Sequence, residues 1–130
     1  MSVPSPGVTL IQQRDQNVTA QGGGSQTNPT AGTAVASAVV NATGNWEATA
    51  YPFLSGTIAA GDLNNMGVYV NTVLKFTIPL PAVATTTQPV PAYKIIVACN
   101  NGDTVAVKAI ANASGASAVY NAALVCLQVS

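Results

Sequence analysis

The chain has no histidine and almost no charge: four basic and four acidic side chains in 130 residues. Without histidine there is no ordinary general base near neutral pH, no Ser-His or Cys-His nucleophile pair, and no commonest metal ligand. The basic residues Arg14, Lys75, Lys94 and Lys108 balance Asp15, Glu47, Asp62 and Asp103, so the net charge is zero. A chain with no basic excess has nothing with which to neutralise a run of phosphates, which argues against nucleic-acid binding. The four acids are scattered among turn-forming residues rather than paired, which argues against carboxylate-pair hydrolysis. The expectation is a protein that is not an enzyme and holds no cofactor and no metal.

Cysteine is scarce as well. Cys99 and Cys126 are the only two, too few for a disulfide framework and, without histidine, too few for a structural zinc site. Both fall in strand-like runs and read as buried free thiols. No window approaches the ~18 apolar residues of a membrane span. The opening "MSVPSPGVTL" has neither a basic leader nor a long apolar run, so it does not read as a secretory signal. Synthesis in the cytosol without a signal peptide is expected, with no membrane partner. Three glycosylation-type triplets, at Asn17, Asn41 and Asn112, read as chance in a chain rich in Asn, Thr, Ser and Ala.

What remains is apolar and uncharged. Hydrophobic residues make up 48% of the chain against 6% charged, where an average globular protein carries roughly 25% charged residues. That hydrophobicity is enough for a folded core in one domain of ordinary size. A surface with so little charge lacks colloidal repulsion and suits a chain that works in an assembly.

The periodicity is that of strands. In "GVYVNTVLKFTI" (67–78) apolar positions alternate with polar ones, which predicts one long half-buried strand. "YKIIVACNNGDTVAVKAI" (93–110) alternates on both sides of Asn-Asn-Gly-Asp. Asn101 and Gly102 accept positive φ, so the segment predicts a tight hairpin. A calcium loop would need several spaced oxygen ligands, and here Asp103 is the only carboxylate. "SAVYNAALVCLQVS" (117–130) is apolar on both parities, which predicts a central strand covered on both faces. "PLPAVATTTQPVPAY" (79–93) holds four prolines and reads as a crossing between sheets.

The first third differs. Val8 to Gln12 suggests a short strand, Gln21 to Gly32 a flexible loop around its Gly triplet, and "TAVASAVV" (33–40) a small-residue strand. The fold expected is all-β: an antiparallel β-sandwich or jelly roll with an extended, loop-rich N-terminal arm. Residues 1–44 form the arm with one or two short strands, and 45–130 form the sandwich.

A short, histidine-free chain rich in Ala, Thr, Val and Gly, with a loose N-terminus, resembles the small decoration, or cement, proteins of tailed bacteriophage capsids. The half running from "VYVNTVLKFTIPL" through "YNAALVCLQV" also resembles the closing strands of trimeric jelly rolls of the tumour-necrosis-factor and complement type. The resemblance implies a homotrimer at the surface of a virion, bridging neighbouring subunits of a major capsid protein shell. On that expectation Tyr120, Val125, Leu127 and Val129 are the candidate oligomer interface.

Two other functions fit the residues. Trp46, Tyr51 and Phe53 would make an aromatic contact patch for sugar in a host-attachment module. An exchangeable N-terminal strand would instead suit a self-polymerising filament or tail subunit.

Overall fold

A computed structural model describes residues 19–62, 64–79, 88–89, 91–114 and 117–130. The expected strand at Val8 to Gln12, the triplet at Asn17, the charges of Arg14 and Asp15, and most of the proline-rich crossing lie outside the described residues.

The described residues form nine strands and one short 3-10 turn. The strands are β1 (Thr19–Thr27), β2 (Ala34–Val39), β3 (Gly44–Thr57), β4 (Met66–Val70), β5 (Val73–Ile78), β6 (Gln88–Pro89), β7 (Tyr93–Cys99), β8 (Thr104–Ala109) and β9 (Ser117–Gln128). They make the expected antiparallel sandwich. The first sheet runs β1-β9-β3, and the far edge of β3 is shared by β6 and β7. The second sheet runs β2-β8-β4-β5.

Side chains of one parity meet between the sheets. From the first sheet come Trp46, Ala48, Ala50, Leu54, Ala118, Tyr120, Ala122, Leu124 and Cys126; from the second come Val68, Val105 and Val107, all buried. β9 is central, as its composition predicts, with β1 on one side of it and β3 on the other, but only its inner face is covered among the described residues: Ala123 and Leu127 on the outer face are exposed. Pro52 sits within β3, where the neighbouring lane is interrupted. β7 pairs with β3 as far as Ala50 and β6 starts at Phe53, and such a gap tolerates a residue without an N–H.

The structure departs from the sequence expectations in four places. First, the Gly triplet is not a flexible loop. It lies in β1, which pairs with β9 over nine residues in unbroken register. A Cβ on Gly22 would sit 1.8 Å from the Ser37 carbonyl oxygen, and one on Gly24 would sit 2.5 Å from that of Val35. The glycines let β1 press on β2 and close one side of the sandwich, a close backbone approach that no side chain permits. Second, residues 19–44 are therefore no arm: β1 belongs to one sheet and β2 to the other, and the expected boundary at 44/45 cuts β3.

Third, residues 67–78 fold back on themselves. β4 and β5 are a hairpin closed by Asn71 and Thr72, with Asn71 at φ 54°. A bulge beside Lys75 shifts the register, so that Leu74 comes opposite Tyr69 and turns outward. Fourth, Asn101 and Gly102 do form a turn, but not a hairpin. β7 belongs to the first sheet and β8 to the second, so the turn is an arch that carries the chain across the sandwich. Asp103 holds it: its carboxylate accepts the Asn100 N–H at 2.8 Å and the Asn71 side-chain amide at 3.1 Å. Gly102, at φ 93°, donates its N–H to Val40 O, and Asn101 N–H donates to Thr43 Oγ1. Those bonds depress the Asp103 pKa, the Asn100 N–H first and the Asn71 amide second.

Candidate interaction surface

Since strand side chains alternate, the parity that fills the core leaves its complement on the outer face. On the first sheet that complement is mostly apolar. Register places Tyr51 beside Ala123, Phe53 beside Asn121, Thr49 beside Val125 and Glu47 beside Leu127. On the next lane Ile96 lies beside Glu47 and Lys94 beside Thr49. Tyr51 is 48% exposed, Phe53 39%, Ile96 56% and Leu127 41%. On the other side of β9, β1 contributes Gln21, Gly23, Ser25 and Thr27, a polar uncharged margin.

Some of the polar groups among these residues are engaged within the chain. Lys94 Nζ lies 3.7 Å from Glu47 Oε1. The Asn121 side-chain amide donates to Phe53 O at 3.0 Å and to Ser55 Oγ at 3.5 Å.

The structure divides the residues singled out from the sequence. Val125 and Leu127 lie on this face, half-buried and exposed respectively. Val129 follows the end of β9, exposed, with its N–H donated to Asn45 O. Tyr120 faces the other way: it is fully buried in the chain's own core, 3.5 Å from the Asn65 side-chain amide. Burial raises its pKa, and the bond from Asn65 opposes that. The aromatic patch is also split. Tyr51 and Phe53 are outside, while Trp46 is fully buried and donates its indole N–H to Ala42 O at 3.0 Å. The sequence reading did not single out Ile96, Val119 or Ala123, although they share the parity of Lys94, Val125 and Leu127.

Two polar features lie elsewhere. At one end of the sandwich Asp62, fully buried, accepts bonds from Ser114 N–H at 2.9 Å, Ser114 Oγ–H at 2.9 Å and the Asn65 amide at 3.3 Å. This network closes the end of the core with donors from the chain itself. At the other end a shallow cleft of about 340 Å³ is lined by Thr43, Gly44, Asn45, Ala98, Cys99, Asn100 and Asp103.

Both thiols are free and buried. Burial, with Cys99 nearby, pushes the Cys126 pKa up to about 12. Burial, with a smaller contribution from Asp103, raises that of Cys99. Raised thiol pKa values describe inert sulfur, not nucleophiles. Among the described residues no three His, Cys, Asp or Glu side chains gather where a metal ion could sit. No helix among them is long and apolar enough to cross a membrane.

No family model matches the chain, and no curated protein matches it.

Proposed function

We propose that this chain is a non-enzymatic structural subunit that associates with its own copies and decorates a larger shell. The reading is that of a capsid decoration protein at a virion surface: a symmetric oligomer, with a trimer as the expected count, bridging neighbouring subunits of the major capsid protein. The observation that carries it is the apolar outer face of the first sheet. Four large apolar side chains stand exposed there in a chain that has only eight charges to keep its copies apart. Clustered exposed apolar side chains on a folded domain mark interaction sites.

The test is the absolute mass of the purified chain by light scattering across a concentration series, followed by pelleting with purified tailed-phage capsids. A discrete oligomer that pellets with shells is the expected result. A chain that stays monomeric and remains in the supernatant sinks the proposal.

A second reading has one observation in its favour. Tyr51 and Phe53 stand two residues apart on the outer side of β3, as a platform for stacking sugar would require. Binding to a glycan array that is lost in Tyr51→Ala would shift the assignment to a carbohydrate-binding host-attachment module.

A further inference from the structure

We infer that the outer face of the first sheet is the contact surface for a second copy of this chain; the inference rests on the self-association reading and assigns its location and occupant. Size is the first argument. β9 is twelve residues long. At ~3.4 Å per residue and ~4.8 Å per lane, the four lanes present a face of about 40 by 19 Å, roughly 750 Å². Two such faces together bury about 1,500 Å², inside the ~1,200–2,000 Å² range of stable protein interfaces.

The face also has the anatomy of an interface. Its middle is mostly apolar, with Tyr51, Phe53, Ala123, Val125 and Leu127 around Thr49 and Asn121, and its β1 margin is polar and uncharged. That is the centre-and-rim arrangement of protein contacts.

Charge selects the occupant. Among the described residues the charged side chains on the face are Glu47 and Lys94, which pair with each other, so these residues offer no unmatched charge to an acidic or basic partner. A partner would have to be apolar at its centre and as poor in charge as this surface. The chain itself meets that requirement, since it is 48% hydrophobic, 6% charged and neutral. Sugar fits less well. A sugar needs polar groups to direct its hydroxyls, and here the Asn121 amide is already donated to Phe53 O while Glu47 is taken by Lys94. Sheet-on-sheet stacking about 10 Å apart, as inside the sandwich, would let the two faces interdigitate.

The experiment uses the full chain in four forms: wild type, Tyr51→Asp, Leu127→Asp, and Leu74→Asp on the outer side of the second sheet. Each substituted side chain is more than a third exposed, and thermal unfolding verifies that each variant folds. Masses are measured by light scattering over a hundredfold concentration range. The expected result is an oligomeric wild type, an oligomeric Leu74→Asp, and two first-sheet variants whose dissociation constants rise by ~100-fold or more, because a charge would be buried without a partner. An oligomeric wild type whose mass neither Tyr51→Asp nor Leu127→Asp changes overturns this inference and leaves the self-association reading standing. A wild type that is monomeric throughout overturns both.

Discussion

The two faces of the first sheet are built from neighbouring residues of the same strands, yet they present opposite problems. The inner side of β3 and β9 is closed: Trp46, Ala48, Leu54, Tyr120, Leu124 and Cys126 are all fully buried. The outer side carries Tyr51, Phe53 and Leu127 with two-fifths or more of their surface in water, or nearly so. A strand apolar on both sides therefore says two things at once. One parity is consumed by the fold, and the other leaves large apolar side chains exposed.

The widest separation is expected between Trp46→Ala and Tyr51→Ala. Removing the indole leaves a cavity between the sheets and orphans the Ala42 carbonyl, which should cost the monomer roughly 3–5 kcal/mol. Removing the phenol from an exposed site should change the stability of the monomer by less than about 1 kcal/mol. Urea unfolding of both proteins at concentrations low enough to give monomers measures the pair. Equal losses would mean that the outer face is packed within a single chain.

Thiol labelling compares adjacent positions. Cys126 points inward with its pKa near 12, so at pH 8 its thiolate is scarcer by about a thousandfold than that of an ordinary thiol. A cysteine placed at the next residue, in Leu127→Cys, points outward. At concentrations low enough to give monomers it should react with iodoacetamide at close to the rate of a free thiol, while Cys126 waits for unfolding. Mass spectrometry of labelled peptides reads both sites in one sample, and rapid native labelling of Cys126 would show that the inner side opens.

The Gly triplet gives a smaller but sharper contrast. A Cβ at Gly22 meets the Ser37 carbonyl oxygen at 1.8 Å, whereas one at Gly23 finds its nearest atom at an ordinary 3.6 Å. Gly22→Ala must push β1 off β2 and should cost about 1–3 kcal/mol. Gly23→Ala should be neutral or stabilise by up to about 1 kcal/mol, because it reduces the freedom of the unfolded chain. Urea midpoints that fall equally for both would mean that β1 does not close the sandwich edge.

Much of this was legible from residue order. The alternation in β8, the small-residue strand β2 and the doubly apolar β9 are present in the pattern itself. So is the division of the candidate site. Trp46 is an odd number of residues from Tyr51 and Phe53, and Tyr120 an odd number from Val125 and Leu127, so on single strands each pair must face opposite sides.

Other features were not legible, for identifiable reasons. A Gly triplet has the same composition in a loop as in a strand that touches its neighbour's backbone; the difference lies in Ser37 and Val35, a dozen or so residues away. Asn71-Thr72 looks like an interruption of one strand because its neighbours keep alternating through the turn. The Asn-Asn-Gly-Asp turn has the local chemistry of a hairpin. What makes it an arch is long-range, namely that β7 pairs with β3 while β8 pairs with β2 and β4.

That arch supplies the smallest expected effect, and it lies off the comparison of faces, where the chain leaves one sheet for the other. The Asp103 carboxylate is held below its ordinary range by the Asn100 N–H and then by the Asn71 amide. A carboxyl group whose pKa is lower in the folded than in the unfolded state binds its proton more readily when unfolded. Its stabilisation is therefore present above the unfolded value, near 4, and is lost as the pH falls through the folded value. Asp103→Asn should lower the thermal midpoint slightly, by a constant amount from pH 7 down to about 5, with the gap to wild type narrowing below about 4. A gap that stays constant down to pH 2 would mean that the arch is held by its backbone bonds, Gly102 N–H to Val40 O and Val40 N–H to Asp103 O, and that the ionised carboxylate adds nothing to them.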